Sequence, residues 1–113
     1  GGHPVCCAAG LAAMKVLLET KLINAVQAKE KLFRSLLVHP KIQSVRSFGL
    51  WMAIEFDSFE TCKKIIDACI RDGVLTDWFL FAPDCIRLSP PLTISEEQIR
   101  RSAAIILKNC EAK

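Results

Sequence analysis

The segment from residue 85 to residue 99, CIRLSPPLTISEEQI, constrains the fold more than any other part of the sequence. Ile86 and Leu88 alternate with Arg87, and alternate residues of a β-strand point to opposite faces of a sheet. Pro90 has no backbone N–H to donate to a neighbouring strand, so the strand ends there. The segment therefore predicts a strand with two apolar residues on its inner face and one cation on its outer face.

A capped helix is predicted after this strand. Ser95 stands three residues before Gln98, the spacing at which each side chain accepts a hydrogen bond from the other residue's backbone N–H at a helix start. Arg87, just before the turn, carries a planar guanidinium that suits two-point binding of a carboxylate or a phosphate. The alternative is a structural ion pair at the surface, which is the more common role of an arginine in a strand.

The 113 residues are enough for one domain, or for part of a larger one. The chain is 51% hydrophobic, and its mean hydropathy of +0.29 is high for so small a domain. We therefore expect it to bury apolar surface against another domain or subunit. The net charge is +3, and the basic residues form no stripe interleaved with aromatic residues. This distribution argues against nucleic-acid binding.

Six cysteines raise the question of a disulfide framework, but their spacing argues against one. Cys6 and Cys7 are adjacent, and three others fall on apolar stripes that predict buried helix faces: Cys62, Cys69 and Cys110. The sequence has no C-x-x-C motif of the kind that holds zinc. We expect free, buried thiols in a reducing compartment, the cytoplasm, and no metal site.

The beginning of the chain, GGHP, lacks the charged region of a signal peptide. No apolar run is long enough to span a membrane, so no membrane partner is expected. Because the chain does not begin with Met, we interpret it as a processed or partial protein whose residues 1–113 form a single domain.

Hydrophobic periodicity and turn residues predict the order of helices and strands. The predicted elements are helices at 4–18 and 21–38, a strand at 45–56, a helix at 58–72, short strands at 74–76 and 78–81, a turn at 82–84, the strand of Arg87, and a helix at 96–110. This order predicts an α+β fold: a small, mostly antiparallel sheet of three to four strands with helices packed on one face, preceded by two helices.

Some local features of this prediction bear on packing. The helix at 4–18 is apolar on every side, so we expect it to be buried on several sides by something outside this chain. Gly49, inside the predicted strand 45–56, indicates a β-bulge or a close approach of two backbones. The predicted short strand and the residue after it contain three aromatic residues: Trp78, Phe79 and Phe81. Aromatic residues in short strands usually belong to a core, so we expect these to be core residues; the alternative is that they line a substrate channel.

Three segments in this order resemble one family. They are GGHPVCCAAGLA at 1–12, VRSFGL at 45–50 and IRLSPPLTI at 86–94. Together they resemble the C-terminal portion of the class III aminotransferases, fold type I pyridoxal-phosphate enzymes that include ornithine, acetylornithine and 4-aminobutyrate aminotransferases. The resemblance covers essentially the whole chain, and its most specific part is the G-G-x-P start combined with the R-x-x-P-P-L ending.

The resemblance implies roles for particular residues. Arg87 stands where the family has the arginine that binds the substrate's α-carboxylate. Gly1 and Gly2 follow the place of a threonine that reaches a neighbouring subunit's cofactor phosphate, and they would approach the cofactor through their backbone. Arg46 and Gly49 are expected to be architectural. No catalytic residue of this chain is implied.

The resemblance also implies what lies outside this chain. The family's Schiff-base lysine, the aspartate that pairs with the pyridine nitrogen and the aromatic residue that stacks on the ring belong to a large domain upstream. Seven lysines of this chain lie at positions predicted to be solvated helix surface: Lys15, Lys21, Lys29, Lys31, Lys63, Lys64 and Lys108. A Schiff-base lysine must instead be desolvated and aimed at the cofactor.

The parent protein implied by the resemblance is a homodimeric, pyridoxal-phosphate-dependent transaminase acting on an amino acid and a 2-oxo acid. This chain would be its C-terminal small domain, packed on the large domain, and would contribute carboxylate binding and domain closure. Alone it is expected to bind no cofactor and to be inactive. The alternatives are a stand-alone α+β module for protein interaction and a regulatory domain that binds a small ligand.

Overall fold

The computed structural model describes residues 1–111, which contain four helices and four strands. In chain order they are α1 (Pro4–Glu19), α2 (Leu22–Leu36), β1 (Ser44–Phe48), β2 (Trp51–Glu55), α3 (Phe59–Arg71), β3 (Asp77–Phe79), β4 (Ala82–Leu88) and α4 (Glu96–Glu111). The predicted α+β fold is confirmed, with two helices before the sheet.

The strands form one antiparallel sheet in the order β1-β2-β4-β3. Ile54 of β2 lies opposite Ile86 of β4, and Met52 lies opposite Leu88. All four are buried, because they occupy alternate positions on the face that the helices cover. α3 packs against β4, and α2 packs against α4. The core therefore lies between the helices and this inner face, and the opposite side is called the open face below.

Two predicted helix starts are confirmed by their hydrogen bonds. The backbone N–H of Thr61 donates to the Ser58 hydroxyl at 3.2 Å and so caps α3. Before α4, the Ser95 N–H donates to Gln98 Oε1 at 2.9 Å, and the Gln98 N–H donates to Ser95 Oγ at 3.1 Å. This reciprocal pair is the predicted capping box, and it fixes where the chain turns back onto the core after β4.

Gly49 does not form a β-bulge, and the predicted strand 45–56 is in fact the hairpin of β1 and β2. Gly49 lies in the tight turn between them with φ +63°, a left-handed conformation that side chains disfavour. A Cβ added at this glycine would lie 2.8 Å from Val26 Cγ1 on α2. The neighbour is a side chain of α2 and not a second backbone, so the close approach at Gly49 differs from the predicted one.

The third strand is also placed differently from the prediction. Residues 74–76 are not a strand, β3 runs from Asp77 to Phe79, and the predicted turn at 82–84 belongs to β4. The pairing of β3 with β4 shifts between Trp78 and Phe79. Such an irregularity interrupts the ladder, so Pro83 is tolerated although it has no N–H to donate.

The aromatic residues around this hairpin were predicted to belong to the core, but they are not all buried. Phe81 is 96% exposed in the hairpin turn. Trp78 packs edge-on against Phe59, with ring centroids 5.5 Å apart, and remains partly exposed. The ring centroid of Phe79 lies 6.2 Å from that of Trp51. The hairpin therefore presents aromatic surface outward.

Helix α1 buries none of its residues against the rest of the described chain. Large apolar side chains are exposed along it, including Val5, Leu11, Met14 and Leu18. Its apolar character on every side agrees with the sequence pattern, whereas the covering partner stays a prediction.

The cysteines are free, but only part of the burial prediction is confirmed. Cys6 and Cys7 are exposed on α1, because no other element within residues 1–111 covers that helix. The other four are buried: Cys62, Cys69, Cys85 and Cys110. Burial raises the pKa of Cys62 to about 12 and that of Cys110 to about 11, so neither forms a thiolate at neutral pH.

Candidate functional site

Arg87 lies in β4 with its guanidinium on the open face. Its neighbours Ile86 and Leu88 are buried on the inner face, which confirms the predicted alternation. Across the ladder, Arg87 is opposite Ala53 of β2 on one side and Asp77 of β3 on the other. The small side chain of Ala53 leaves the guanidinium accessible, and 44% of the Arg87 side chain is exposed.

Asp77 holds the Arg87 guanidinium by two parallel hydrogen bonds. Arg87 Nε donates to Asp77 Oδ1 at 2.8 Å, and Nη2 donates to Oδ2. These hydrogen bonds and the negative charge of Asp77 raise the pKa of Arg87 further. The surface ion pair that the sequence left open as an alternative is therefore present, and its geometry is the two-point carboxylate grip that the resemblance assigns to a substrate.

Asp77 was not predicted to be a site residue from the sequence. It fell between two predicted short strands, in a part of the chain whose strand boundaries were placed wrongly. The only sequence signal for the pair was that Asp77 stands ten residues before Arg87, a spacing compatible with facing positions on the two strands of a hairpin. Only the correct register places Asp77 directly opposite Arg87.

The turn after β4 is held by a residue that was predicted to be solvated. Lys29 of α2 is half-buried, and its Nζ donates to the Leu92 carbonyl at 2.6 Å. Within the turn, the Ile94 N–H donates to the Pro91 carbonyl at 3.0 Å. These bonds fix the segment that follows Arg87, so Lys29 is an anchor of the site rather than a surface charge.

A cavity of about 770 Å³ extends beside this turn and includes Arg87 and Asp77 in its lining. Arg101 of α4 adds a second guanidinium, and Gln98 adds an amide. Much of the remaining wall is apolar, including Phe33, Leu88, Ile94 and Ile105. A concave, largely apolar site with a few polar groups suits a small anionic molecule.

A second ion pair occupies the open face between β1 and β2. Arg46 Nη1 lies 2.7 Å from Glu55 Oε2, and the Ser44 hydroxyl donates to the same oxygen at 2.5 Å. The hydrogen bond from Ser44 and the charge of Arg46 lower the pKa of Glu55. Arg46 also donates to Cys85 Sγ at 3.5 Å. Arg46 thus joins strands within the sheet, in agreement with the architectural role expected for it.

Gly1 and Gly2 lie before α1 and are exposed. Gly2 has φ +81°, and a Cβ added at either glycine would meet no heavy atom within 4 Å. Neither glycine lines the cavity that includes Arg87. Their predicted contact with a cofactor stays a prediction.

Other ligand classes find little support in the described part of the chain. No group of three or more His, Cys, Asp or Glu side chains within residues 1–111 could hold a metal ion. Over the same residues, no helix has both the length and the apolar character needed to cross a bilayer.

Comparison with known proteins places this chain in a family. Residues 1–109 match the family described as aminotransferase class-III. The acetylornithine aminotransferase of Haemophilus ducreyi is 32% identical over 94% of this chain and 26% of its own length. The probable mitochondrial ornithine aminotransferase of Caenorhabditis elegans is 34% identical over 96% of this chain and 26% of its own.

Solved structures give the same result. The acetylornithine aminotransferase of Elizabethkingia anophelis superimposes with a TM-score of 0.84 at 34% identity, over 97% of this chain and 30% of that one. The ornithine aminotransferase of Toxoplasma gondii ME49 also gives 0.84, at 28% identity, over 97% and 27%. The chain spans about a quarter of the length of the curated relatives it matches. A stand-alone interaction or ligand-binding module is not favoured by these matches, and the chain belongs to the class III aminotransferase family.

Proposed function

We propose that this chain is the C-terminal small domain of a longer, pyridoxal-phosphate-dependent aminotransferase, in which Arg87 binds the carboxylate of the substrate. The observation that carries the proposal is the Arg87 guanidinium on the open face, already holding a carboxylate at two points. Membership of the family supports the transferase activity, and the relatives' greater length supports a larger parent.

Arg87 would act by binding and orienting the substrate. A guanidinium offers paired N–H donors in a fixed plane, so a carboxylate bound at two points has a defined direction. The strand supplies the rigidity, because Ile86 and Leu88 anchor it in the core on either side. Lys29 anchors the turn that follows. A substrate held in this way presents its α-carbon reproducibly to the reacting groups.

The cofactor chemistry would come from outside this chain. When bound, pyridoxal phosphate acts as an electron sink that stabilises negative charge at the substrate's α-carbon. Apart from Lys29, every lysine among residues 1–111 is exposed, and the Lys29 ammonium is bonded to a backbone carbonyl. These surroundings do not fit the desolvated lysine that the cofactor requires. Gly1 and Gly2, at which an added Cβ would meet open space, are proposed to approach the cofactor through their backbone.

The exposed apolar surface and the family support proposals for the remaining partners. We propose that α1, which buries none of its residues within the described chain, packs on the large domain of the same polypeptide. The parent would be a homodimer acting on an amino acid and a 2-oxo acid, the substrate class suggested by the acetylornithine and ornithine aminotransferases among its relatives. The free cysteines support a reducing location, for which we propose the cytoplasm.

The test is turnover by the full-length protein supplied with pyridoxal phosphate, measured as transfer of an amino group from amino acids to 2-oxo acids. We expect saturable turnover with carboxylate-bearing donors. The 113-residue chain alone, under the same conditions, is expected to give neither turnover nor stoichiometric attachment of the cofactor to one lysine. Inactivity of the full-length protein on every amino acid pair, or turnover by the short chain, would contradict the proposal.

A further inference from the structure

Trp51 lies on the open face beside Arg87. Ala53 is directly opposite Arg87 in the ladder of β2 and β4, and Trp51 stands two residues before Ala53 on the same face. Trp51 is therefore a diagonal neighbour of Arg87, at a spacing of about 7–8 Å that an aromatic side chain can span. Because Trp51 is 60% exposed, its indole offers apolar surface next to the guanidinium.

The indole of Trp51 extends over β4, the strand that carries Arg87. In the sheet, β4 separates β2 from β3. The ring centroids of Trp51 in β2 and Phe79 in β3 are nevertheless only 6.2 Å apart, with the rings inclined at 51°. Phe79 stands two residues after Asp77, which faces Arg87 from the other side. An aromatic pair therefore spans the open face of β4 near Arg87.

Trp51 also lines a second cavity, of about 650 Å³, at the end of the sheet where α2 meets the turn between β1 and β2. The rest of its wall is largely apolar and includes Ile23, Val26, Phe48, Leu50, Pro90 and Leu92. Glu30 is the one charged side chain that this wall has within residues 1–111, and its Oε1 accepts a hydrogen bond from the Ser47 hydroxyl at 2.5 Å. A cavity of this composition suits an apolar group.

The two cavities adjoin just after Arg87. Ser89 and Pro90 line both of them, whereas Arg87 lines the first and Trp51 the second. A molecule whose carboxylate is bound by Arg87 therefore has the apolar cavity within reach of its side chain.

We propose that Trp51 and the second cavity bind the side chain of the amino donor, and that Trp51 is a specificity-determining residue. The donors selected in this way are amino acids with a large apolar side chain, above all an aromatic one, because an indole packs well against a second ring. This inference rests on the function proposed above and names the substrate class of the same site.

The experiment compares Trp51→Ala with the unchanged full-length, cofactor-loaded enzyme. Phenylalanine and alanine are the two donors, because both present the same carboxylate to Arg87 and they differ by one phenyl ring. Transfer of the amino group from the donor to the cofactor is followed by the cofactor's absorbance, so no acceptor is needed. We expect the unchanged enzyme to prefer phenylalanine. Trp51→Ala should lower the ratio of the second-order rate constants, phenylalanine over alanine, roughly 5- to 30-fold.

Further variants separate the indole from its surroundings. Trp51→Phe keeps a ring at this position and should retain most of the preference, whereas Phe79→Ala removes the ring against which the indole packs and should lower the ratio. Arg87→Ala should slow both donors alike and leave the ratio unaltered. Phe81→Ala is the matched control, because Phe81 is also an exposed aromatic residue but lies in the hairpin turn, outside the sheet face. It should not change the ratio.

A ratio that Trp51→Ala leaves unaltered overturns the inference, and so does an unchanged enzyme that does not prefer phenylalanine. An equal loss with both donors means that Trp51 is structural, and a Phe81→Ala effect as large as that of Trp51→Ala has the same consequence. None of these results contradicts the proposed transferase function, which fails only if the unchanged enzyme accepts an amino group from no amino acid.

Discussion

Replacing Arg87 by Ala in the full-length protein distinguishes a role of Arg87 in substrate binding from a role in stabilising the fold. The substitution removes the guanidinium but leaves Ile86 and Leu88, the buried neighbours that hold β4 in the core. The lost ion pair with Asp77 is exposed, and such pairs stabilise folding little. We therefore expect a change in Tm of less than about 5 °C.

The expected effect on activity is much larger than the effect on folding. A substrate carboxylate bound as proposed would lose a charge-assisted, two-point hydrogen bond. We expect kcat/KM for carboxylate-bearing donors to fall roughly 30- to 1000-fold. Arg87→Lys should recover only part of this loss, because an ammonium is a point charge and cannot reproduce the planar pair of donors. Amine donors that lack a carboxylate should be much less affected.

Arg46→Ala is the matched control for this prediction. Arg46 is also an exposed arginine on the open face, and it also pairs with a carboxylate on the neighbouring strand, Glu55. Steady-state kinetics and thermal unfolding of both variants would be measured side by side. If Arg87→Ala unfolds the protein, or lowers activity equally with and without the substrate carboxylate, Arg87 is structural. The same conclusion follows if Arg46→Ala reproduces its kinetic effect.

Three further predictions concern the fold. Ile86→Ala, at a fully buried position, should lower the free energy of unfolding by about 2–5 kcal/mol in chemical denaturation, whereas Leu80→Ala in the exposed hairpin turn should change it little. In the isolated 113-residue chain under non-reducing conditions, the two thiols on α1 should react quickly with a thiol reagent and the four buried ones only after unfolding; equal rates for all six would contradict the described burial. Because the pKa of Glu55 is lowered in the folded state, its contribution to stability is present above the unfolded-state value near 4.5 and is lost as the pH falls through the lower folded value. Removing its hydrogen bond by Ser44→Ala should therefore flatten the acid dependence of the denaturation midpoint, and an unaltered dependence would contradict this cause.

The sequence predicted the elements whose boundaries are set by local chemistry. The capping box of Ser95 and Gln98 and the cap at Ser58 depend on residues three apart, so they are visible without tertiary information. The two faces of β4 likewise follow from alternation alone. Such features make the position of Arg87 and its outward direction predictable from the amino-acid sequence.

Features that depend on pairing between strands could not be predicted in the same way. A glycine within an alternating apolar run is compatible with a bulge or a hairpin, and only the packing of α2 against Gly49 and the pairing of β1 with β2 distinguish them. The shift in register between Trp78 and Phe79 has no local signature either.

The same limitation explains why Arg87 was found and Asp77 was not. An isolated cation in an apolar strand can be recognised from the amino-acid sequence alone. Its partner, however, is defined by the register of a hairpin that contains an irregularity. A carboxylate and a guanidinium brought face to face by that register are chemically equivalent to a substrate and its binding residue. The ion pair by itself is therefore compatible with a purely structural role of Arg87 and with a role in binding a substrate carboxylate. The Arg87→Ala variant distinguishes the two, because loss of a purely structural pair would affect amine and amino acid substrates alike, whereas loss of a carboxylate-binding residue would affect mainly substrates that bear a carboxylate.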